Sequence, residues 1–314
     1  MKRFLKYLAL GLVTVVVVLV FGVLPYFLAG QVTGGQFRFN DRENAGLTPA
    51  SFSLPFEDVA FTSSDGVPLK GWFVPAPNAK GTVVLVHGLN RSRIEMVKKV
   101  PFLNKMGWNA LLFDLRRHGD SGGSKRTLGW GERLDVHAAI EWARTRAPGP
   151  VAVWGISSGA AAATLAASED PKVAAVVCDS SFRSLRDTVR HHLQLFRGFR
   201  WYLRLVPRWP LSEEVTFWIG RRGGFDPDAL DIRAAAARLA GRPALFVCDT
   251  GDKRMPKEIA FELKAAAGER ARVLVVPGVT HGSAYREGQA AYEHAVQELL
   301  GEVVGGGTVA VASR

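Results

Sequence analysis

The residues with chemistry to do are a serine, an acid and a histidine, met in that order along the chain. Ser157 stands in Gly155-Ile156-Ser157-Ser158-Gly159, a G-x-S-x-G run. The stretch changes period at that point: residues 151–154 read as a short buried strand and the alanine-rich run after Gly159 as a helix, which puts Ser157 on the corner. Small residues two positions either side let strand and helix approach closely while the hydroxyl projects from the sheet edge. The helix N-terminus then aims amide donors at negative charge developing on an attacked acyl group. In a chain with 33 glycines, five letters fit a tight turn with a helix-capping serine equally well. A nucleophile also needs a base and an acid.

Of seven histidines, His281 is best placed to be the base, because it lies in the loop between the last strand and the final helix. His137 and His294 fall within helices, and His191 and His192 in an arginine-rich insertion, where packed or solvated roles suit them better. The strand at 244–247 runs into Cys248-Asp249-Thr250-Gly251-Asp252-Lys253-Arg254-Met255-Pro256, and Asp252, on the far side of that loop, is the expected acid. Asp249 is nearer the strand end and could instead brace the turn; Asp179, after the neighbouring strand, is a third choice. His87-Gly88-Leu89-Asn90 ends an earlier apolar strand. Gly88 would let the loop turn beneath the nucleophile, leaving the amide of Leu89, with that of Ser158, to hold an oxyanion. His87 precedes the serine on this loop and is not the expected base; it also reads as the cap of a core strand.

These residues need a rigid frame, and the chain supplies one. It has 314 residues, 47% hydrophobic and 22% charged, enough for one large α/β domain or two small ones. An opening hairpin turns at Asp65-Gly66, and buried strands are expected at 81–88, 110–115, 151–154, 173–178, 244–247 and 273–276. Helices at 91–105, 130–146 (Leu134, Ala138 and Trp142 on one face) and 283–300 alternate with them. Such alternation implies a mostly parallel sheet between helical layers, with ligands at the carboxyl ends of the strands. Cys178 and Cys248 are too few for a disulfide scaffold or a zinc site, though one bridge stays open. A net charge of +11 arrives without a nucleic-acid-binding motif, and much of it sits in one insertion. The strand at 81–88 lacks a G-x-G-x-x-G run and no phosphate-loop lysine follows it, so no nucleotide, flavin or metal cofactor is expected.

Lys2, Arg3 and Lys6 precede an uncharged run whose most apolar part, residues 8–28, is long enough to cross a bilayer as one helix. Basic residues before the span and none just after it place the domain across the membrane from the cytoplasm, in the periplasm or outside. A cleaved signal peptide, releasing a secreted protein, is the alternative. The expected organisation is an anchor at 1–30, a linker at 31–56, a domain at 57–300 with an insertion at 183–224, and a loose tail at 301–314.

In the order serine, acid, histidine, the motifs GISSG, HG, GDKRMP and THG resemble the α/β-hydrolase superfamily over residues 57–300, and within it the Bem46-like and serine-aminopeptidase-like group. Phe113-Asp-Leu-Arg-Arg-His-Gly-Asp-Ser121 is similar to that group's D-x-R-G-x-G-x-S loop, and Asp179-Ser-Ser-Phe182 to its D-S-x-F segment. The resemblance implies Ser157 as nucleophile, Asp252 as acid, His281 as base and the Leu89 and Ser158 amides as oxyanion hole. Arg117 departs from it where glycine is usual, and Cys248-Asp249 where histidine-glycine is usual, which keeps Asp249 open as the acid.

The insertion reads as a helical cap over the carboxyl edge. Residues 183–208 hold seven arginines and one acid, Asp187, among Leu193, Phe196, Phe199, Trp201, Tyr202, Leu203 and Leu205. That composition suits contact with anionic headgroups, or equally a lid with a solvated face. The sequence thus points to a membrane-anchored, carboxylesterase- or lipase-like serine hydrolase acting through an acyl-enzyme on esters of lipophilic or medium-chain acids. Amides, peptides or thioesters are the alternative substrates, and a non-catalytic binding protein on the same fold is the remaining class.

Overall fold

Eight strands form one sheet in the order β1-β2-β4-β3-β5-β6-β7-β8. In chain order they are β1 Glu57–Thr62, β2 Pro68–Val74, β3 Thr82–Val86, β4 Asn109–Phe113, β5 Val151–Ile156, β6 Val173–Asp179, β7 Ala244–Asp249 and β8 Ala271–Val276. The opening hairpin pairs β1 with β2 and β2 with β4 antiparallel; every later pairing is parallel. β3, β4, β5 and β7 are buried at every residue, as continuous apolar strands covered on both faces must be. The structure, a computed structural model, describes residues 1–34, 44–199, 204, 206–278 and 280–305.

The helices are α1 Lys2–Val18, α2 Leu24–Gly34 (joined to α1 by a π-helical turn at Leu19–Val23), α3 Val100–Lys105, α4 Glu132–Arg146, α5 Ser158–Glu169, α6 Leu185–Phe199, α7 Arg208–Gly223, α8 Ile232–Ala237, α9 Glu258–Ala267, α10 Ala284–Glu287 and α11 Gln289–Gly305. Several differ from expectation. The stretch before α3 is a 3₁₀ helix, Arg93–Lys99. The final helix breaks at Gly288 and runs to Gly305, beyond residue 300. Its buried residues Tyr292, Val296, Leu299 and Leu300 recur at helical spacing, so the core holds that end in place. The core side of α4 is Val136, Ala139, Ile140 and Ala143; Leu134, Ala138 and Trp142 are only half-buried.

The chain separates into two compact units: Met1–Gly35 with Ser184–Leu230, and Gln36–Arg183 with Asp231–Arg314. The second unit carries the sheet. The first is helical and joins the N-terminal segment to the insertion. In it α2 buries Pro25, Ala29 and Thr33, four residues apart and so on one face. It packs on α7 through Tyr26, whose ring meets Trp218 edge-on at 5.1 Å. The Arg222 guanidinium lies 4.7 Å from the Tyr26 ring centre and donates to Thr33 Oγ1 at 3.2 Å. The N-terminal helix therefore continues four residues past Gly30, into what was expected to be linker, because its last turns have a partner helix; Pro49–Phe52 is a 3₁₀ turn in the same expected linker. Upstream of Leu24 the helix buries no residue. Linker residues 35–43, the insertion's 200–203 and Leu205, Val279 and the tail from 306 lie outside the described residues.

Candidate active site

Ser157 joins β5 to α5 with φ 55° and ψ −120°, a backbone conformation that side chains other than glycine rarely adopt. The surroundings enforce it. Its N–H donates to Asp179 O at 2.8 Å and its C=O accepts from Ala161 N at 3.1 Å. A Cβ on Gly155 would stand 2.4 Å from Gly159 O, and one on Gly159 would stand 2.2 Å from His87 O. The two glycines of G-x-S-x-G are thus demanded by backbone packed against backbone, and the strained serine is the residue they hold out.

The loops after β7 and β8 bring Asp252 and His281 to it. Thr250 N donates to Val276 O at 3.0 Å and Gly251 N to Gly278 O at 2.8 Å, which fastens one loop to the other. His281 Nδ1 lies 2.6 Å from Asp252 Oδ2 and its Nε2 2.8 Å from Ser157 Oγ. A carboxylate only accepts, so Nδ1 carries the proton and Nε2 is free to accept from the serine hydroxyl. Asp252 Oδ1 accepts from the amides of Arg254 and Met255 at 2.8 and 3.0 Å. Burial pushes the Asp252 carboxyl up, but the hydrogen bond and charge of His281 and these two amides outweigh it and hold it below the usual value.

The other two acids are engaged elsewhere. Asp249 accepts from Ser283 N at 3.2 Å and Ser283 Oγ at 3.3 Å, bracing the turn that carries His281. Burial first, then the charge of Asp179, raises it to about 6. Asp179 accepts from Tyr292 Oη at 2.9 Å and Ser180 Oγ at 2.8 Å, and Tyr292 Oη in turn accepts from Trp154 Nε1 at 3.0 Å. Cys178 and Cys248 are free, buried thiols.

The turn after β3 completes the site. His87 Nε2 accepts from Leu115 N at 3.0 Å, so the ring proton is on Nδ1, which donates to Gly88 O at 2.8 Å. Burial, and then neighbouring His118, holds His87 well below the usual imidazole value, and it stays neutral. The C=O and N–H of a trans peptide point opposite ways, so pinning Gly88 O aims the Leu89 amide away from His87. Glu95 Oε2 holds Gly88 N at 2.7 Å, and His118 Nε2 accepts from Asn90 N at 3.2 Å. The amides of Leu89 and Ser158 donate to no acceptor among the described residues. Sequence reasoning missed Glu95, His118 and Tyr292, whose separations of 7, 28 and 113 residues from their partners leave no local signal.

No three His, Cys, Asp or Glu side chains gather as a metal-binding group among the described residues. The arrangement can deprotonate Ser157 through a histidine oriented by a carboxylate, with two amides at hand for an anion.

Comparison with known proteins agrees with this frame. The profile described as "Alpha/beta hydrolase family" matches residues 83–295. The protein Rv2307c of Mycobacterium tuberculosis is 30% identical over 282 residues, covering 87% of this chain and 88% of that one. YqkD of Bacillus subtilis is 28% identical over 78% of this chain and 79% of its own. Among solved structures, the esterase Pf2001 of Pyrococcus furiosus superposes with a TM-score of 0.67 at 26% identity, covering 82% of this chain and 95% of that one. With its parallel sheet, its strained serine between β5 and α5 and these matches, the chain belongs to the alpha/beta hydrolase family.

Proposed function

We propose that this hydrolase cleaves carboxylic esters through an acyl-enzyme. The observation that carries the reading is the unbroken chain Asp252–His281–Ser157, with hydrogen bonds of 2.6 and 2.8 Å. Ser157 Oγ attacks the carbonyl while His281 Nε2 takes its proton, and the Leu89 and Ser158 amides hold the oxyanion. His281 then protonates the leaving alcohol, and a water activated by the same imidazole releases the acid. The esterase among the structural neighbours supports an ester over an amide.

The protein is read as held in the membrane by its N-terminal helix. Lys2–Gly34 spans 33 residues, and its most apolar 18-residue window has a mean hydropathy of 2.8 and no buried residue. The charge before the span supports a domain on the far side from the cytoplasm. Signal cleavage near Gly30 would cut α2 between Ala29 and Thr33, both buried and the second bonded to Arg222 of α7, which favours an uncleaved anchor. Phe196, Trp209 and Phe217, each more than half exposed on the helical unit, support contact of that unit with the bilayer surface as well.

Ser157→Ala should lower kcat/KM by about 10⁴-fold or more and abolish labelling by a fluorophosphonate probe, with thermal stability unchanged. Equal labelling of variant and parent would sink the assignment, and a shift of label to Ser158 would move it. Protease added outside spheroplasts should digest the domain; full protection contradicts the orientation, and a soluble product beginning near Gly30 establishes the secreted form.

A further inference from the structure

The helical unit fixes which way its insertion points along the N-terminal helix. Trp218 of α7 meets Tyr26 of α2 ring to ring, and one turn further on a Cβ on Gly30 would stand 3.5 Å from Arg222 Cζ. The partners advance together, so α7 runs in the same direction as the N-terminal helix, and it packs on the turn at Leu19–Val23 as well as on α2. Carried down the two helices residue for residue, this sets Glu213 level with Phe21 and Trp209 level with Val17. α6 returns antiparallel to α7: Arg190 Nη2 meets Glu213 Oε1 at 2.8 Å, and Arg208 Nη1 donates to Gln194 Oε1 at 2.9 Å. The end of the hairpin that carries Phe196 and Trp209 therefore points toward the start of the chain, along the part of the helix that buries no residue. Both aromatic side chains are exposed, 54% and 74%.

Charge then sets the water boundary. Glu213 takes Arg186 and Arg190, all three at least 30% exposed, and hydrocarbon cannot hydrate them. Water and headgroups reach that level, so the hydrocarbon core ends near Phe21 rather than at residue 28. Counted back from there, residues 4–21 make about 27 Å of helix, enough for a bilayer core, and Lys6 reaches the headgroups along its own stem. Tyr26, Phe27 and Phe217 fall about 6–9 Å outside the core, at the headgroups, where aromatic rings collect. Trp209 falls about 6 Å inside it. Resting on the reading of the N-terminal helix as a membrane anchor, we infer that the tip of the α6–α7 hairpin is a second membrane contact. Phe196 and the Trp209 indole enter the acyl region of the leaflet on the domain's side, at the depth of an interfacial helix. Two points of attachment, where a lone helix has one, fix the tilt of the helical unit on the bilayer.

The test uses the full chain in phosphatidylcholine vesicles, with nitroxides on single cysteines introduced into Cys178→Ala/Cys248→Ala. The sites are Val13→Cys, Trp209→Cys, Phe27→Cys and Arg221→Cys, at four exposed positions. Depth is read from collisions with oxygen, which concentrates in lipid, against collisions with a water-soluble nickel chelate. Trp209→Cys should lie about 6 Å shallower than Val13→Cys and about 15 Å deeper than Phe27→Cys, with Arg221→Cys in water. As a check that needs no label, lipids brominated high on the acyl chain should quench tryptophan fluorescence more in the parent than in Trp209→Phe; equal quenching overturns the tip contact. Trp209→Cys as open to nickel as Arg221→Cys, with Val13→Cys in lipid, also overturns it and leaves the anchor standing. Phe27→Cys as deep as Trp209→Cys overturns the boundary, because the Glu213 cluster would then lie in hydrocarbon. Trp209→Cys shielded from both reagents, with spin–spin broadening that unlabelled chain dilutes away, assigns the tip to a second copy and overturns the lipid contact. Val13→Cys open to nickel, in a chain that does not float with the vesicles, overturns the anchor reading itself.

Discussion

Asp252 in the sheet unit and Glu213 in the helical unit each collect positive partners, but under opposite conditions. Asp252 has a side chain 1% exposed and is held by a ring nitrogen and two backbone amides that belong to turns locked to one another. Glu213 is 30% exposed and takes Arg186 and Arg190, whose long side chains are 37% and 54% exposed. Around Ser157 the donors are mostly backbone or rigid rings, and their geometry is set by strand ends. On the helical unit it rests on flexible cations in water. The first kind of contact is costly to lose because the partner is left buried and unpaired; the second is exchanged for water at little cost. The sheet unit should therefore respond sharply to conservative changes, and the helical unit barely.

The widest separation is expected between two acids of one loop. Asp252→Asn should lower kcat by about 10⁴-fold, because an amide in place of the carboxylate favours the wrong His281 tautomer. Asp249→Asn should retain most turnover, since Asp249 supports Ser283 and does not touch His281. If Asp249→Asn proves the more damaging, the roles are reversed. The pair also differs in stability against pH. The Asp249 carboxyl is raised to about 6 from 3.8, so between these values the folded state holds a proton that the unfolded chain has released. Its contribution is present in full below about pH 4 and lost as pH rises through 6. Melting curves from pH 4 to 7 should show a smaller decline in Asp249→Asn than in the parent.

Next in size is the buried ion pair beneath the loop after β4. Arg116 donates from its backbone N–H to Asp135 Oδ2 at 2.8 Å and from Nη2 to Asp135 Oδ1 at 2.7 Å, with side chains 10% and 0% exposed. Asp135→Ala strips a buried guanidinium of its inner partner and should cost about 3–5 kcal/mol by denaturant unfolding. A loss below about 1 kcal/mol would show that water reaches the site. Tyr292→Phe should cost less, about 1–3 kcal/mol. It leaves the Trp154 indole N–H and one Asp179 oxygen without their partner, while the ring stacked 5.3 Å from Trp154 remains.

The same division explains what could be read from the sequence. The corner at Ser157 was legible because a change of period and two forced glycines are local, and the acid and histidine because strand ends are where such loops must lie. The core face of α4 was not: Val136, Ala139, Ile140 and Ala143 make one apolar stripe and Leu134, Ala138 and Trp142 another, and the buried one is marked by Glu132 and Asp135, whose hydrogen-bond partners Thr127, Gly129 and Arg116 lie outside the helix. Counting charge within residues 183–208 likewise hid the acids that pair those arginines, because Glu213 and Asp228 lie beyond that stretch. The partner of α2 was also hidden, 189 residues away at Arg222, and nothing in an apolar run distinguishes a face awaiting lipid from one awaiting a helix.

The smallest effect is expected at Glu213, and it sharpens the comparison most. Arg186 Nη1 and Arg190 Nη2 of α6 both reach this one carboxylate on α7, and Arg186 also meets Asp228. The contacts are nearly as numerous as those of Asp135, so a count of hydrogen bonds predicts a similar loss for Glu213→Gln. Exposure predicts otherwise. Both arginines can hydrate when the charge is removed, Arg186 keeps Asp228, and glutamine still offers an acceptor oxygen. Exposed pairs of this kind contribute about 0.2–1 kcal/mol, and their range shrinks from about 10 Å at 0.1 M salt to about 3 Å at 1 M. Amide hydrogen exchange read in α6 and α7 of the full chain in micelles should therefore speed up slightly at low salt, with parent and variant converging at 1 M. A loss of more than about 2 kcal/mol, unmoved by salt, would place this carboxylate with the buried acids and remove the distinction between the units.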